Sequence, residues 1–484
     1  MRELAKGGQL KILEKEEVER IHYAVLEVLE NAGVKVESEE ARKILVNAGC
    51  EIEKKKEIVR IPGYLVEESI RKAPKSIRLC GQNKENDIIL EGRKVCFGPT
   101  CGPTSIIDLD TGEKRDATFR DCEDSCRFAD ALSNIDFVMP IVSPTDVPSE
   151  VLGLYEELAT LTGTKKHGLL FAYHEKRLIE RQIEMASLVA GGEKELKKRP
   201  FLTLYGEPRS PLTLGKNATE AIIVWGKRGL PVIYAPCIIA GATAPITLAG
   251  AVVQGVAESL AGNVLVQLEN PGTPFIFGAV PQVIDMRYAL TTYGSPEAML
   301  MDVAQAQLSD YYQIPLFGTG GVTDSKYPDG QQGIEAGMGI LVSALAGQNL
   351  IHDIGYLESA LAGSFDSLLI CDEIISYTKR VLKGIEVNRQ TLAPDTISDA
   401  FESGNFLQLK HTREFFQKEH ILPELIDRSS RKAWEAKGRK ELRGRAREKA
   451  KKIFGEHRVE FPKDVRRELE RIINESKGTK KGVE

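Results

Sequence analysis

Residues Ile314–Gly320 read IPLFGTG, an apolar run of strand length closed by glycine, and the chain repeats that device seven more times. The other runs are Lys94–Thr100 (KVCFGPT), Phe137–Ile141 (FVMPI), His167–Tyr173 (HGLLFAY), Phe201–Gly206 (FLTLYG), Pro231–Cys237 (PVIYAPC), Pro274–Val280 (PFIFGAV) and Asn349–Leu357 (NLIHDIGYL). Val, Ile, Phe and Tyr dominate without strict polar alternation, the pattern of strands covered on both faces. Longer helix-like stretches separate the runs, which implies parallel strands joined by crossover helices. Eight such units predict an α/β fold of the (β/α)8 TIM barrel type, in which chemistry sits at the C-terminal ends of the strands.

A barrel needs about 250 residues, so a chain of 484 carries additions at both ends. An N-terminal helical cap is expected over residues 1–75, where Val18, Ile21, Val25, Leu26 and Leu29 fall at helical spacing before Gly33, and Glu39–Ala48 form a second helix. The barrel is expected over 76–390, opening with a β-rich entry segment at 76–120 in which Asp110-Thr-Gly112 marks a hairpin. Residues 391–484 read as a helical, charged extension. Its centre, RKELRGRAREKAKK, suits a solvated helix face or tail, or alternatively a surface for an acidic partner.

A net charge of -5 argues against nucleic acid, and 42% hydrophobic residues support an ordinary core. No apolar stretch is expected to approach the roughly 20 residues that span a bilayer, and charged residues follow Met1 too closely for a signal peptide. Eight cysteines in so long a chain are no disulfide framework, which favours a reducing, cytoplasmic setting.

Cys96 with Cys101 and Cys122 with Cys126 lack a second pair or a nearby His, so no metal site is expected; His167 and His174 flank one strand. The chain has no GxxxxGK[ST], no GxGxxG after the first strand and no GxSxG, which removes support for phosphate transfer, dinucleotide redox and triad hydrolysis. Candidates gather instead at the last two strand ends. Gly318, Gly320 and Gly321 would let backbone approach a ligand, with Asp324, Lys326, Asp329, Gln331 and Glu335 following. The eighth run adds His352, Asp353, Tyr356 and Glu358. A lone histidine in an apolar strand is ordinarily a hydrogen-bonded core residue; a strand-end position with acidic neighbours favours a site role for His352. Phe97, Tyr173, Tyr205, Tyr234, Phe277, Phe317 and Tyr356 all fall in expected strands. Such rings are ordinarily core, and around a barrel mouth they would alternatively cage a quaternary ammonium through cation–π attraction.

Longer stretches carry a resemblance across nearly the whole chain. In order they are LEVLENAGVKVESEEARKILVNAGCEI, GPTSIIDLDTGEKRDATFRD, ALSNIDFVMPIVSPTDVP, YGSPEAMLM, FGTGGVTDSKYPDGQQGIE, ALAGQNLIHDIGYLESAL, LKHTREFF and LIDRSSRKAWEAKG. The chain is similar to the trimethylamine:corrinoid methyltransferase family, in its branch lacking pyrrolysine, which includes glycine betaine:corrinoid methyltransferase. The resemblance implies transfer of a methyl group from a methylated, quaternary amine to the Co(I) corrinoid of a separate cognate protein. It implies no tightly bound cofactor, no nucleic-acid or membrane partner, and self-association into a homo-oligomer. Lys326, taken to match the pyrrolysine position, and His352 are the implied catalytic residues. Phe97, Tyr205, Tyr234, Phe277, Phe317, His352, Tyr356 and Glu358 are the implied substrate-binding residues.

A quaternary ammonium leaves as a neutral amine, so the enzyme needs mainly positioning and desolvation. Trimethylamine would be the substrate if position 326 held a special residue. A betaine carboxylate should meet a basic residue near the seventh strand end and a histidine from the eighth. His352 suits the second role, but Leu316 and Phe317 stand where an arginine would serve. That departure leaves another quaternary amine, or Lys326 as the source of charge. Two other readings stay open. One is a lyase or aldolase using Lys326 as a Schiff base, although Lys326 falls on a loop rather than in a strand. The other is a non-catalytic amine-binding barrel.

Overall fold

The computed structural model describes residues 1–172 and 175–478, without the side chains of residues 402 and 403. Tyr173 and His174 lie outside the described residues. Each of the eight apolar runs forms a strand: β1 Lys94–Phe97, β2 Phe137–Val138, β3 His167–Phe171, β4 Leu202–Gly206, β5 Val232–Tyr234, β6 Phe275–Gly278, β7 Leu316–Thr319 and β8 Leu350–His352. They hydrogen-bond in the order β1-β8-β7-β6-β5-β4-β3-β2, all parallel, as one curled sheet. A ninth strand, Ala5–Lys6, pairs antiparallel with the start of β1. The two ends of the parallel series also touch. Asp136, just before β2, donates its backbone N–H to the carbonyl of Phe97 at 2.7 Å, and its carboxylate accepts the Phe97 N–H at 3.0 Å.

A helix follows each strand: α1 Phe119–Ala131, α2 Leu152–Gly163, α3 Lys176–Ala190, α4 Lys216–Lys227, α5 Leu248–Glu269, α6 Pro296–Tyr312, α7 Gly330–Ala346 and α8 Phe365–Lys383. Their starts are written in the sequence. Thr118 and Asp121 cap α1 reciprocally, and Ser295 caps α6 with Pro296 in its first turn.

The strands sort their residues between two cores. Cys96, Phe137, Leu169, Tyr205, Ile233, Ile276, Phe317 and Leu350, one from each strand, form a single cluster. Ile77, Leu79, Ile88 and Leu90 join it from an antiparallel hairpin, Ser76–Leu79 with Ile88–Glu91. The neighbours of these residues, including Phe97, Tyr234 and Phe277, belong to the clusters shared with the helices. This is the two-residue period of a strand, which sends successive side chains to opposite faces.

α5 corrects one expectation: its 22 residues are long and apolar enough to cross a bilayer. It is nevertheless a core helix, 83% buried over its apolar window and packed against Lys15–Glu27, Gly63–Lys72 and α4. The N-terminal region holds three α-helices and also a small sheet of Val34–Val36, Glu51–Glu53 and Ile58–Arg60. Thr213–Leu214, from the segment after β4, adds a strand to that sheet. In the C-terminal extension, the helix Leu442–Glu456 packs on α8, and Lys463–Ser476 packs on α2 and α3. Part of its charge pairs with the rest of the chain: Arg443 with Asp366 at 3.1 Å and Arg466 with Glu123 at 2.6 Å, while Ala446 and Ala450 are buried.

Candidate active site

A cavity of about 450 Å³ opens at the C-terminal ends of the strands. Among the described residues, its wall draws on Thr100–Thr104 after β1, Ser143 after β2, Phe171 of β3, Tyr205 and Glu207 at the end of β4, Cys237 after β5, Val280 after β6, and His352, Asp353 and Tyr356 at and beyond β8. Tyr293 closes another side.

His352 is held by three contacts. Its Nδ1 lies 2.7 Å from the carbonyl of Gly318, which can only accept, so Nδ1 carries the proton. Its ring stacks on Phe317 with centroids 3.8 Å apart. Nε2 then faces Oδ2 of Asp353 at 3.4 Å. Burial lowers the pKa of His352 and raises that of Asp353, so both groups are driven toward their neutral forms. Asp353 sits at φ +66° and receives support from Thr100 Oγ1, which accepts its backbone N–H at 3.1 Å.

Two more acids complete the site. Burial pushes Glu207 up to about 7, a hydrogen bond with Cys237 pulls it back, and the nearby Asp353 adds to the rise. Cys237 in turn accepts from Gln282 Nε2 at 2.7 Å and lies 3.5 Å from the Tyr293 hydroxyl. Beneath the wall, Glu156 accepts from Ser143 Oγ at 2.6 Å and Cys101 Sγ at 3.0 Å, and burial pushes it up to about 7. The Tyr356 hydroxyl is buried and has no hydrogen-bond partner among the described residues. No Lys or Arg lines the cavity among the described residues.

The structure brings together only part of the set read from the sequence. Tyr205, His352 and Tyr356 line the cavity, and Phe317 backs His352 from below without lining it. Phe97, Tyr234 and Phe277 face the helices: Phe97 lies under Lys379, Tyr234 bonds Thr219 at 3.1 Å, and Phe277 meets Tyr312 edge-on. Their strand parity is the opposite of Tyr205's. Glu358 forms an ion pair with Lys114 at 2.7 Å away from the cavity. Lys326 is exposed, its Nζ donating to the carbonyl of Asp324 at 2.8 Å. The loop after β7 turns outward, which removes Lys326 from the lining.

The β7 glycines serve packing instead of ligand approach. A Cβ on Gly318 would fall 1.9 Å from Gln348 Oε1, and one on Gly320 would meet Ile351 at 2.7 Å. Asp324 and Glu335 tie the loop to its surroundings: Asp324 accepts from the Tyr293 N–H at 3.1 Å, and Glu335 from the Asp324 N–H at 2.8 Å. Sequence reasoning missed Phe171, Glu207, Cys237 and Tyr293. Glu207 carried a usable signal, as a charged residue directly after the apolar run FLTLYG, at a strand's C-terminal end.

The family model described as trimethylamine methyltransferase (MTTB) matches residues 2–479. A trimethylamine methyltransferase of Desulfitobacterium hafniense (strain DSM 10664 / DCB-2) is 36% identical over 462 residues, covering 95% of this chain and 93% of that protein. A glycine betaine methyltransferase of Desulfitobacterium hafniense (strain Y51) is 32% identical over 456 residues, covering 93% of this chain and 94% of that protein. Among solved structures, the Methanosarcina barkeri monomethylamine methyltransferase aligns over 94% of this chain and 97% of its own, with a TM-score of 0.49 and 10% identity.

Proposed function

The chain belongs to the trimethylamine methyltransferase family and is a methyltransferase, and from that premise we propose that it moves a methyl group from a methylated, quaternary amine to the Co(I) corrinoid of a partner protein. The observation that carries this reading is the aromatic and acidic cavity at the strand ends, sized for a small amine. A corrinoid macrocycle does not fit such a space, so the amine is held here and the corrinoid stays with the partner, which supplies the cobalt nucleophile. Tyr205 and Tyr356 form walls for the ammonium group, and His352, fixed by Gly318 and Phe317, orients it. As the C–N bond breaks, its electron pair stays on nitrogen. A quaternary substrate therefore leaves as a neutral amine and requires no proton from the enzyme.

The same reading extends to the fold, its setting and its assembly. The eight parallel strands are taken as a closed (β/α)8 barrel, which the contacts between Asp136 and Phe97 support. Eight cysteines, none of them joined in a disulfide among the described residues, suit the cytoplasm. Self-association is assigned to residues 385–422, where Ile385, Val387, Phe401, Leu407 and Leu422 are exposed. The test of function is transfer of label from a panel of methyl-labelled amines to a reduced corrinoid protein. Label should move from a quaternary amine, and His352→Ala should lower kcat/KM at least tenfold. No transfer from any amine, with a partner shown to be competent, would overturn the reading.

A further inference from the structure

The acids of the cavity bear on which amine enters it. Glu207 and Asp353 both contribute to the wall, and no Lys or Arg does so among the described residues. His352 cannot supply a lasting positive charge, because burial favours its neutral form. A ligand with a carboxylate would have to place that anion in a water-poor space beside two acids and without a cation, which is costly. A ligand with only positive charge meets the reverse situation. Its charge favours the carboxylate forms of Glu207 and Asp353 over the neutral forms that burial alone favours, so it gains from both acids and from the ring faces around it.

Tyr356 is 2% exposed and lines the cavity with Tyr205 and Tyr293, and its hydroxyl has no hydrogen-bond partner among the described residues.

We propose that the cavity selects a methylammonium cation bearing no anionic group, with Glu207 and Asp353 as counter-charge and the rings of Tyr205, Tyr293 and Tyr356 as walls. The proposal rests on the reading of this cavity as the amine site, and it separates this chain from a preference for betaines. Tetramethylammonium and choline represent the favoured class. Glycine betaine represents the disfavoured one, and 3,3-dimethylbutanol is the uncharged counterpart of choline.

Calorimetric titration of the full-length protein without corrinoid tests the proposal independently of turnover. Choline and tetramethylammonium should each bind at least tenfold more tightly than glycine betaine, and choline at least tenfold more tightly than 3,3-dimethylbutanol. Glu207→Gln, with folding verified by thermal melting, should shrink both ratios by about tenfold. Betaine binding as tightly as choline would overturn the proposal, as would an unchanged ranking in Glu207→Gln or no binding of either cation. The wild-type ranking requires no variant, so a misfolded Glu207→Gln leaves the test intact. Tight binding of the cations without methyl transfer from any of them would count against the functional reading alone.

Discussion

Replacing Glu156 by Gln should protect the protein against alkaline conditions, and the size of the effect follows from its surroundings. Glu156 is buried beneath the cavity and accepts hydrogen bonds from Ser143 at 2.6 Å and Cys101 at 3.0 Å. Burial raises its pKa from an ordinary 4.5 to about 7. Between those values the folded protein retains a proton that the unfolded chain has released, so stability falls as pH climbs through the window and the loss is complete above about 7. At about 1.4 kcal/mol per pH unit, the loss comes to about 3 kcal/mol. Gln keeps an acceptor oxygen for Ser143 and Cys101 and has no proton to release. Urea unfolding of both proteins, compared through midpoints at a shared slope, should show the variant gaining about 3 kcal/mol on the wild type between pH 4.5 and pH 8. Groups common to both proteins cancel in that comparison. A difference that stays constant across the range would refute the reasoning, by showing that Glu156 titrates in the folded state as it does in the unfolded chain.

Phe317→Ala removes a fully buried ring from beneath His352 and should cost about 3–5 kcal/mol in denaturant unfolding, as cavity-forming substitutions do; a loss under 1 kcal/mol would mean that the site collapses around the gap. Tyr356→Phe deletes an orphan hydroxyl and should raise the stability of the ligand-free protein by about 1 kcal/mol. A drop of that size would indicate that the hydroxyl is satisfied. Lys326→Ala, at an exposed loop position, should change stability by less than about 0.5 kcal/mol and leave methyl transfer unaltered. Loss of turnover would return Lys326 to the reaction.

The sequence by itself determined the strands and their parallel direction, and it pointed to the strand ends at which the cavity opens. Eight apolar runs separated by helical stretches admit little else, because strands covered on both faces require crossover helices. It also determined the family, carried by stretches spread along the whole chain, and it singled out His352, which lies in the cavity wall, by its place at the end of the eighth run. The inward or outward direction of each aromatic was decided by the tertiary structure. Ile233 and Tyr234 are adjacent and both apolar, yet one enters the interior cluster and the other the layer shared with the helices. A strand buried on both faces carries no polar alternation to mark its parity, so Tyr205 and Tyr234 look alike in the sequence and lie on opposite sides of the sheet. The electrostatic character of the cavity was likewise a tertiary matter. Glu207 and Asp353 stand 146 positions apart in the chain, and only the curling of the sheet from β4 round to β8 brings them to one wall.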